Sequence, residues 1–307
     1  MEKVIVVIGP TSVGKTKMGV VLAKKFNGEV ISGDSMQIYK QMDIGTAKVT
    51  EEEKEGIIHH CVDILNPDET YSVHDFQQTV RKKITEITQR GHVPIIVGGT
   101  GLYIKAALYD YQFDEMENDH HAINEKYKDY TNEQLHDNLK SIDEESAKIL
   151  HFNNRRRVLR AIEIYETTGK RKSEMLEEQE HICLYDAYFV GLTLPRDVLY
   201  ERINKRVDVM MENGLKEEME RLYSQGLTRN HQSMKAIGYK EWFDYYDHQI
   251  DLNDVLELIK KHSRQYAKRQ YTLFKNQFDV HWYDVNLENF EQTIEQVTDD
   301  IEKILKV

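Results

Sequence analysis

The chain has 307 residues, with 53 acidic side chains against 41 lysines and arginines and a formal net charge of −12. Apolar residues at 40% and aromatic residues at 9% are enough for a sizeable core, which excludes a disordered chain, and the length corresponds to about two ordinary domains. No apolar run approaches the roughly 18 residues that cross a bilayer, no secretory pattern opens the chain, and Cys61 and Cys183 stand far apart, so we expect a cytoplasmic protein with no membrane partner, no disulfide framework and reduced, buried thiols.

Lys3 to Ile8 reads KVIVVI, a buried strand, and runs directly into GPTSVGKT. Met18, Val21, Leu22 and Phe26 then recur at helical spacing, which predicts a helix over 15–26. A second short strand is predicted at Val30 to Ser32, ending at Gly33 and Asp34, and a helix over Val73 to Arg90. A third strand, VPIIV from Val93 to Val97, ends at Gly98-Gly99-Thr100-Gly101. Strands alternating with helices imply a parallel sheet, whose ligands bind at the carboxyl ends of its strands, where all three glycine-containing segments fall. From Tyr111 onward the sequence turns polar and helical with no evident strand, until AYFVGLTL at Ala187 to Leu194 reads as a strand again, with helices following to about Lys275. The fold class expected is α/β, a P-loop NTPase-like parallel-sheet core formed by 1–110 and 185–307, with 111–184 as a mainly helical insertion.

Gly9-Pro10-Thr11-Ser12-Val13-Gly14-Lys15-Thr16 matches the phosphate-binding pattern G-x-x-x-x-G-K-[ST]. Its glycines let backbone N–H groups converge on phosphate oxygens, the helix start adds a positive dipole end, Lys15 supplies a point charge and the Thr16 hydroxyl can ligate Mg²⁺. The pattern does not say whether the phosphates belong to a nucleotide or to another diphosphate ester. Asp34, placed beside this loop by the predicted sheet order, can act as a proton acceptor or as a helix cap. Gly98–Gly101 does not complete G-x-G-x-x-G, which disfavours a dinucleotide site, and offers the Thr100 hydroxyl to a phosphate oxygen. The pairs His59-His60 and His120-His121 lack the i, i+4 spacing of helical metal ligands; tyrosines are frequent, beside Phe113, and Tyr245, Tyr246, Tyr266 and Tyr271 are expected in packing and not in base-stacking.

The net charge conceals two basic segments. Asn153 to Lys172 holds seven bases, Arg155, Arg156, Arg157 and Arg160 among them, against two acids, and Lys260 to Lys275 holds six bases and no acid. Such segregation fits a protein that grips a polyanion on one face, and it also fits solvated helix surface. These residues fit a P-loop kinase acting on a small molecule or nucleotide, with Asp34 as base and Arg155–Arg160 as a lid, and also a P-loop RNA-binding protein that uses nucleotide hydrolysis as a switch.

GPTSVGKT, SGDSMQIYKQMDIGTAK (32–48), VGGTGLYIKAAL (97–108), RRVLRAIEIYETTGK (156–170), AIGYKE (236–241) and AKRQ (267–270) occur in order over roughly residues 4 to 275. Together they resemble the bacterial tRNA dimethylallyltransferases, also called tRNA isopentenyltransferases. Departures from the family pattern are Val13, Val49 and Leu273, none of them a proposed catalytic side chain. The resemblance implies transfer of a dimethylallyl group from dimethylallyl diphosphate to the exocyclic amine of the adenosine 3′ of the anticodon (position 37), by a monomer whose partner is the tRNA anticodon loop and whose cofactor is Mg²⁺ near Thr16. It implies catalysis by Asp34, Thr100 and Lys15. The diphosphate would be held by Gly9–Thr16 with Arg202 and Arg206. For tRNA contacts it implies Asp34, Ser35, Met36, Gln37, Thr100, Arg156, Arg157, Arg160, Lys235 and Lys240.

Overall fold

The protein's structure, a computed structural model, describes residues 1–111, 120–177 and 181–305. Phe113 and the side chains of His120 and His121 lie outside the described residues. The chain forms two compact units, one from Met1–Tyr109 with Cys183–Val307 and one from Asp110–Ile182. The first begins with β1 (Lys3–Ile8), α1 (Lys15–Lys25), β2 (Gly28–Ser32), α2 (Glu51–Lys54), β3 (His59–His60), α3 (Val73–Gln89), β4 (Val93–Val97) and α4 (Gly101–Leu108). The second unit contains α5 (His120–Lys126), α6 (Asn132–Ile142), α7 (Glu144–Ile149), α8 (Arg155–Thr168) and α9 (Lys172–Glu177). The chain then returns to the first unit as β5 (Asp186–Thr193), α10 (Arg196–Glu212), α11 (Leu215–Ser224), α12 (Trp242–Tyr246), α13 (Leu252–Gln277), β6 (His281–Asp284) and α14 (Phe290–Leu305).

The six strands lie in the order β3-β2-β4-β1-β5-β6, and every pairing is parallel. Both faces are covered, which is why β1 is apolar from Val4 to Ile8 instead of alternating. Val4, Val6 and Ile8 pack on one side with Phe76, Ile104 and Trp242, while Ile5 and Val7 pack on the other with Met18, Ile203 and Val297. Neither β3 nor β6 was expected from sequence. Each is a short edge strand, two and four residues long, whose pairing comes from its neighbour and not from its own pattern.

Sheet order also differs from expectation. β4 lies between β1 and β2, so the segment after β2 is not the direct neighbour of the phosphate loop. Instead the loops after β1, β4 and β2 emerge side by side. His59 and His60 sit on β3 and not on a helix, with His59 Nδ1 2.9 Å from the Ile57 carbonyl and His60 Nε2 2.6 Å from Glu29 Oε2. Cys61 is buried as expected, whereas Cys183 is only half-buried, because it lies at the margin of the sheet just before β5.

The second unit has its own core, in which Leu135 and Leu139 of α6 meet Val158, Leu159 and Ile162 of α8. The buried Asp143 carboxylate accepts N–H bonds from Ser146 and Ser173, joining the starts of α7 and α9. On α8 the bases divide by function. Arg155 donates to the Tyr127 and Tyr130 carbonyls at 2.6 Å each and is structural, Arg160 pairs with Glu163 at 2.8 Å, and Arg156 and Arg157 are exposed.

Candidate active site

The loop after β1 is shaped by backbone that only glycine tolerates. Gly9 has φ +140°, and a Cβ there would sit 2.4 Å from the Leu192 carbonyl oxygen; Gly14 has φ +98° at the N-cap of α1 and brings no side chain to close that helix end. The first N–H groups of α1 are therefore left for an anion. Ser12 adopts φ +68°, and its buried hydroxyl has no hydrogen-bond partner among the described residues, which fits a loop built to receive one. Thr16 is exposed on the cleft, whereas Val13 points into the core and could offer a ligand only its backbone. Pro10 has no N–H to give, and its carbonyl accepts a 2.6 Å bond from Lys15 Nζ.

Two arginines of α10 reach this loop. Arg202 Nε donates to the Ser12 carbonyl at 2.9 Å, and Arg206 Nη1 donates to Thr11 Oγ1 at 3.0 Å. Their i, i+4 spacing puts both on one helix face, so the loop is ringed by Lys15, Arg202 and Arg206 before any anion binds.

Asp34 follows β2 and faces the same cleft, an open space of about 880 Å³. Its Oδ1 accepts from Met36 N at 2.8 Å and Gln37 N at 3.4 Å, while Oδ2 takes no hydrogen bond from the described residues. The carboxylate therefore caps a turn with one oxygen and leaves the other for chemistry. Burial raises its pKa above the ordinary aspartate value, a shift opposed by those two N–H bonds and by the charges of Lys15 and Arg206. Lys15 is perturbed the other way. Burial and then the Arg206 charge lower its ammonium to about 7, with Asp34 resisting. Lys15 and Asp34 are half-buried as whole residues, yet exclusion of water from their charged ends is the first cause of both shifts.

Thr100 stands at the start of α4 after β4, and its Oγ1 accepts from Ser35 N at 3.2 Å. It thus joins the β4 loop to the Asp34 segment. Ser35, Met36 and Gln37 line the cleft, as expected of residues that meet a base, and the Gln37 amide also accepts from Ser32 Oγ and donates to the Thr46 and Ala47 carbonyls. Lys235 and Lys240 are exposed at the rim of the same cleft. Arg156, Arg157 and Arg160 belong to α8 of the second unit.

Two cleft residues of α13 escaped the sequence reading as site residues. Tyr266, expected in packing, faces the cleft, and its hydroxyl is 3.3 Å from the Gly99 carbonyl. Gln270 is buried, accepts from Thr11 N at 3.0 Å and donates to the Gly99 carbonyl at 2.9 Å. The one sequence signal was Gln270's place in AKRQ, which carried the resemblance but no chemistry. In the basic stretch of α13, Lys260 is held by Asp208 at 2.8 Å and Arg264 by Asn204, leaving Lys261, Lys268, Arg269 and Lys275 exposed.

Among the described residues no group of three or more His, Cys, Asp or Glu side chains could hold a metal. What the cleft offers is the Thr16 hydroxyl and the carboxylates of Asp34 and Glu53, all hard oxygen donors. That set fits Mg²⁺, which takes one or two protein oxygens and fills its remaining positions with substrate phosphate oxygens and water.

A tRNA dimethylallyltransferase of Bacillus cereus (strain AH187) is 54% identical over 287 residues, 92% of this chain and 90% of its own length. One of Bacillus anthracis is also 54% identical over 287 residues, covering 92% and 91%. Among solved structures, the tRNA delta(2)-isopentenylpyrophosphate transferase of Staphylococcus epidermidis matches with a TM-score of 0.74 and 47% identity over 99% of each chain. A eukaryotic dimethylallyltransferase acting on tRNA matches with a TM-score of 0.86 and 32% identity, over 99% of this chain and 79% of that one. The model of the IPP transferases spans residues 37–277, from the turn capped by Asp34 to the end of α13, and with relatives this similar the chain belongs to the IPP transferase family.

Proposed function

We propose that the protein transfers a dimethylallyl group from dimethylallyl diphosphate to the exocyclic amine of the adenosine 3′ of the anticodon in tRNA, acting as a cytoplasmic monomer. The observation that carries this reading is the convergence, in one cleft, of a cationic phosphate loop and a carboxylate of raised pKa with one free oxygen. A kinase reading uses the same loop and makes Arg155–Arg160 a phosphate lid, but Arg155 is bonded to the Tyr127 and Tyr130 carbonyls and Arg160 to Glu163, whereas the exposed Arg156 and Arg157 suit a polyanionic acceptor.

The chemistry follows from where the charges sit. The adenine amine attacks the allylic carbon, the carbon–oxygen bond breaks, and the diphosphate leaves with the electron pair. Lys15, Arg206 and the N–H groups at the start of α1 meet the negative charge that grows on the leaving oxygen. Thr16 would hold Mg²⁺ with diphosphate oxygens, and the ion supplies further charge neutralisation there. The amine is a weak nucleophile because its lone pair is delocalised into the ring, so its proton must be taken as the new bond forms; Asp34 accepts it. Ser35, Met36 and Gln37 line the approach of the base, which must leave the stack of its loop to enter. Arg156 and Arg157, with Lys235 and Lys240 at the cleft rim, hold phosphates of the tRNA.

Incubation of the purified protein with unmodified tRNA and either dimethylallyl diphosphate or ATP, read by nucleoside mass spectrometry and phosphate release, tests the reading. A dimethylallyl adduct on adenosine is expected with the diphosphate ester, and phosphorylation or phosphate release from ATP alone would overturn it. Asp34→Asn keeps the Met36 contact but cannot take the proton, and should slow single-turnover transfer about 10²- to 10⁴-fold with donor affinity little changed. Transfer within about threefold of wild type would make Asp34 a cap only.

A further inference from the structure

Gln270 is buried, and its amide bonds the backbone of two separate cleft loops. Thr11 N–H can only donate and the Gly99 carbonyl can only accept, so the amide orientation is dictated by chemistry: Oε1 toward Thr11 at 3.0 Å and Nε2 toward Gly99 at 2.9 Å. Gly99 is glycine because of it, since a Cβ there would lie 2.0 Å from Gln270 Nε2. Each partner leads on to a different half of the reaction. Thr11 takes Arg206 on its hydroxyl and sits in the phosphate loop; Gly99 precedes Thr100, which holds Ser35 next to Asp34.

We propose that Gln270 is a positioning residue for the transfer, its carboxamide fixing the distance between the loop that grips the leaving diphosphate and the loop that carries Thr100 toward the acceptor. The inference rests on the function proposed above. A single rigid amide is suited to the task because two bonds to two separate loops cannot both persist if either loop shifts by an ångström, and a displacement of that size at a reacting centre costs about 10²-fold in rate. Tyr266, one turn earlier on α13, places its hydroxyl 3.3 Å from the same Gly99 carbonyl. The Gly99 side of the bridge therefore has a second support, while for Thr11 N–H the described residues offer Gln270 alone.

The test uses Gln270→Met, which keeps the volume and loses both bonds, with Thr100→Val and the double variant. Transfer is measured in a single turnover at saturating donor and tRNA, and binding with the unreactive S-thiolodiphosphate analogue of the donor. We expect Gln270→Met to slow transfer about 30- to 100-fold while binding the analogue and tRNA within about threefold of wild type. The double variant should be slower than Thr100→Val by less than about threefold, because both changes disable one unit. Transfer by Gln270→Met within threefold of wild type, or fully multiplicative losses in the double variant, would overturn the inference. If Gln270→Met does not fold, Gln270→Glu replaces it, keeping the Thr11 bond while setting a carboxylate oxygen against the Gly99 carbonyl, under the same criteria. A wild type that binds the analogue yet transfers nothing to tRNA would instead refute the proposed function.

Discussion

The Lys15 ammonium is lowered to about 7, because water is excluded and Arg206 lies near, with Asp34 and the Pro10 carbonyl in compensation. A bound diphosphate favours the charged form, so Lys15 must take up a proton whenever the donor binds above that pH. The sign is fixed by the direction of the shift. Below about pH 7 the lysine is already charged and adds no pH dependence of its own; above it, affinity for the thiolodiphosphate analogue should fall by up to about tenfold per pH unit, the ester's own last ionisation being complete by then. Calorimetry in buffers of different ionisation enthalpy should register net proton uptake near pH 8 and little near pH 6. Lys15→Ala should bind weakly with the slope gone. A wild-type slope that survives in this variant would place the titration elsewhere.

Glu218 of α11 has no contact with the phosphate loop, yet it sets the wall opposite. Its buried carboxylate accepts N–H bonds from Asp43 and Ile44 at 2.9 Å and Gly45 at 3.0 Å, and a 2.6 Å bond from the Tyr239 hydroxyl. The turn so fixed carries the Thr46 and Ala47 carbonyls that receive Gln37. Glu218→Gln puts an NH₂ group against backbone donors and should cost about 1–3 kcal/mol, read as a lower urea midpoint with unchanged slope. An unchanged midpoint would mean that the buried Lys48, bonded to the Tyr39 carbonyl and paired with Asp43, holds the turn alone. Elements of this kind mark the limit of what the sequence discloses. The phosphate loop, Asp34 and the β4 loop were legible because a short apolar run ending in glycine is a local signal. That β4 separates β1 from β2 was not, since strand order is decided by packing across the sheet. Glu218 and Gln270 stand in charge-rich helical stretches where their letters read as surface, and only the tertiary fold buries them.

At the level of the whole molecule, the −12 charge coexists with exposed cations at Arg156, Arg157, Lys235, Lys240, Lys261, Lys268 and Arg269. Affinity for tRNA should therefore fall steeply with salt despite the acidic composition. With about six phosphates contacted at a slope near −0.7 each, the loss between 50 and 200 mM salt is roughly 300-fold. Filter binding of Arg156→Glu/Arg157→Glu should show a weaker complex and a shallower slope, with analogue binding intact; a flat wild-type response would refute phosphate contacts by these cations. The order of the sheet also dictates how the chain must come together as it is made. β1 pairs with β4 on one edge and β5 on the other, with Lys3 registered against Asp186, so the whole second unit is synthesised between one central strand and its partner. At about 5–20 residues per second the apolar KVIVVI edge waits roughly ten to forty seconds for closure. For that interval it is an open strand edge able to template association between nascent chains. The ribosome-bound intermediate, more than the finished enzyme, is then the species most exposed to aggregation.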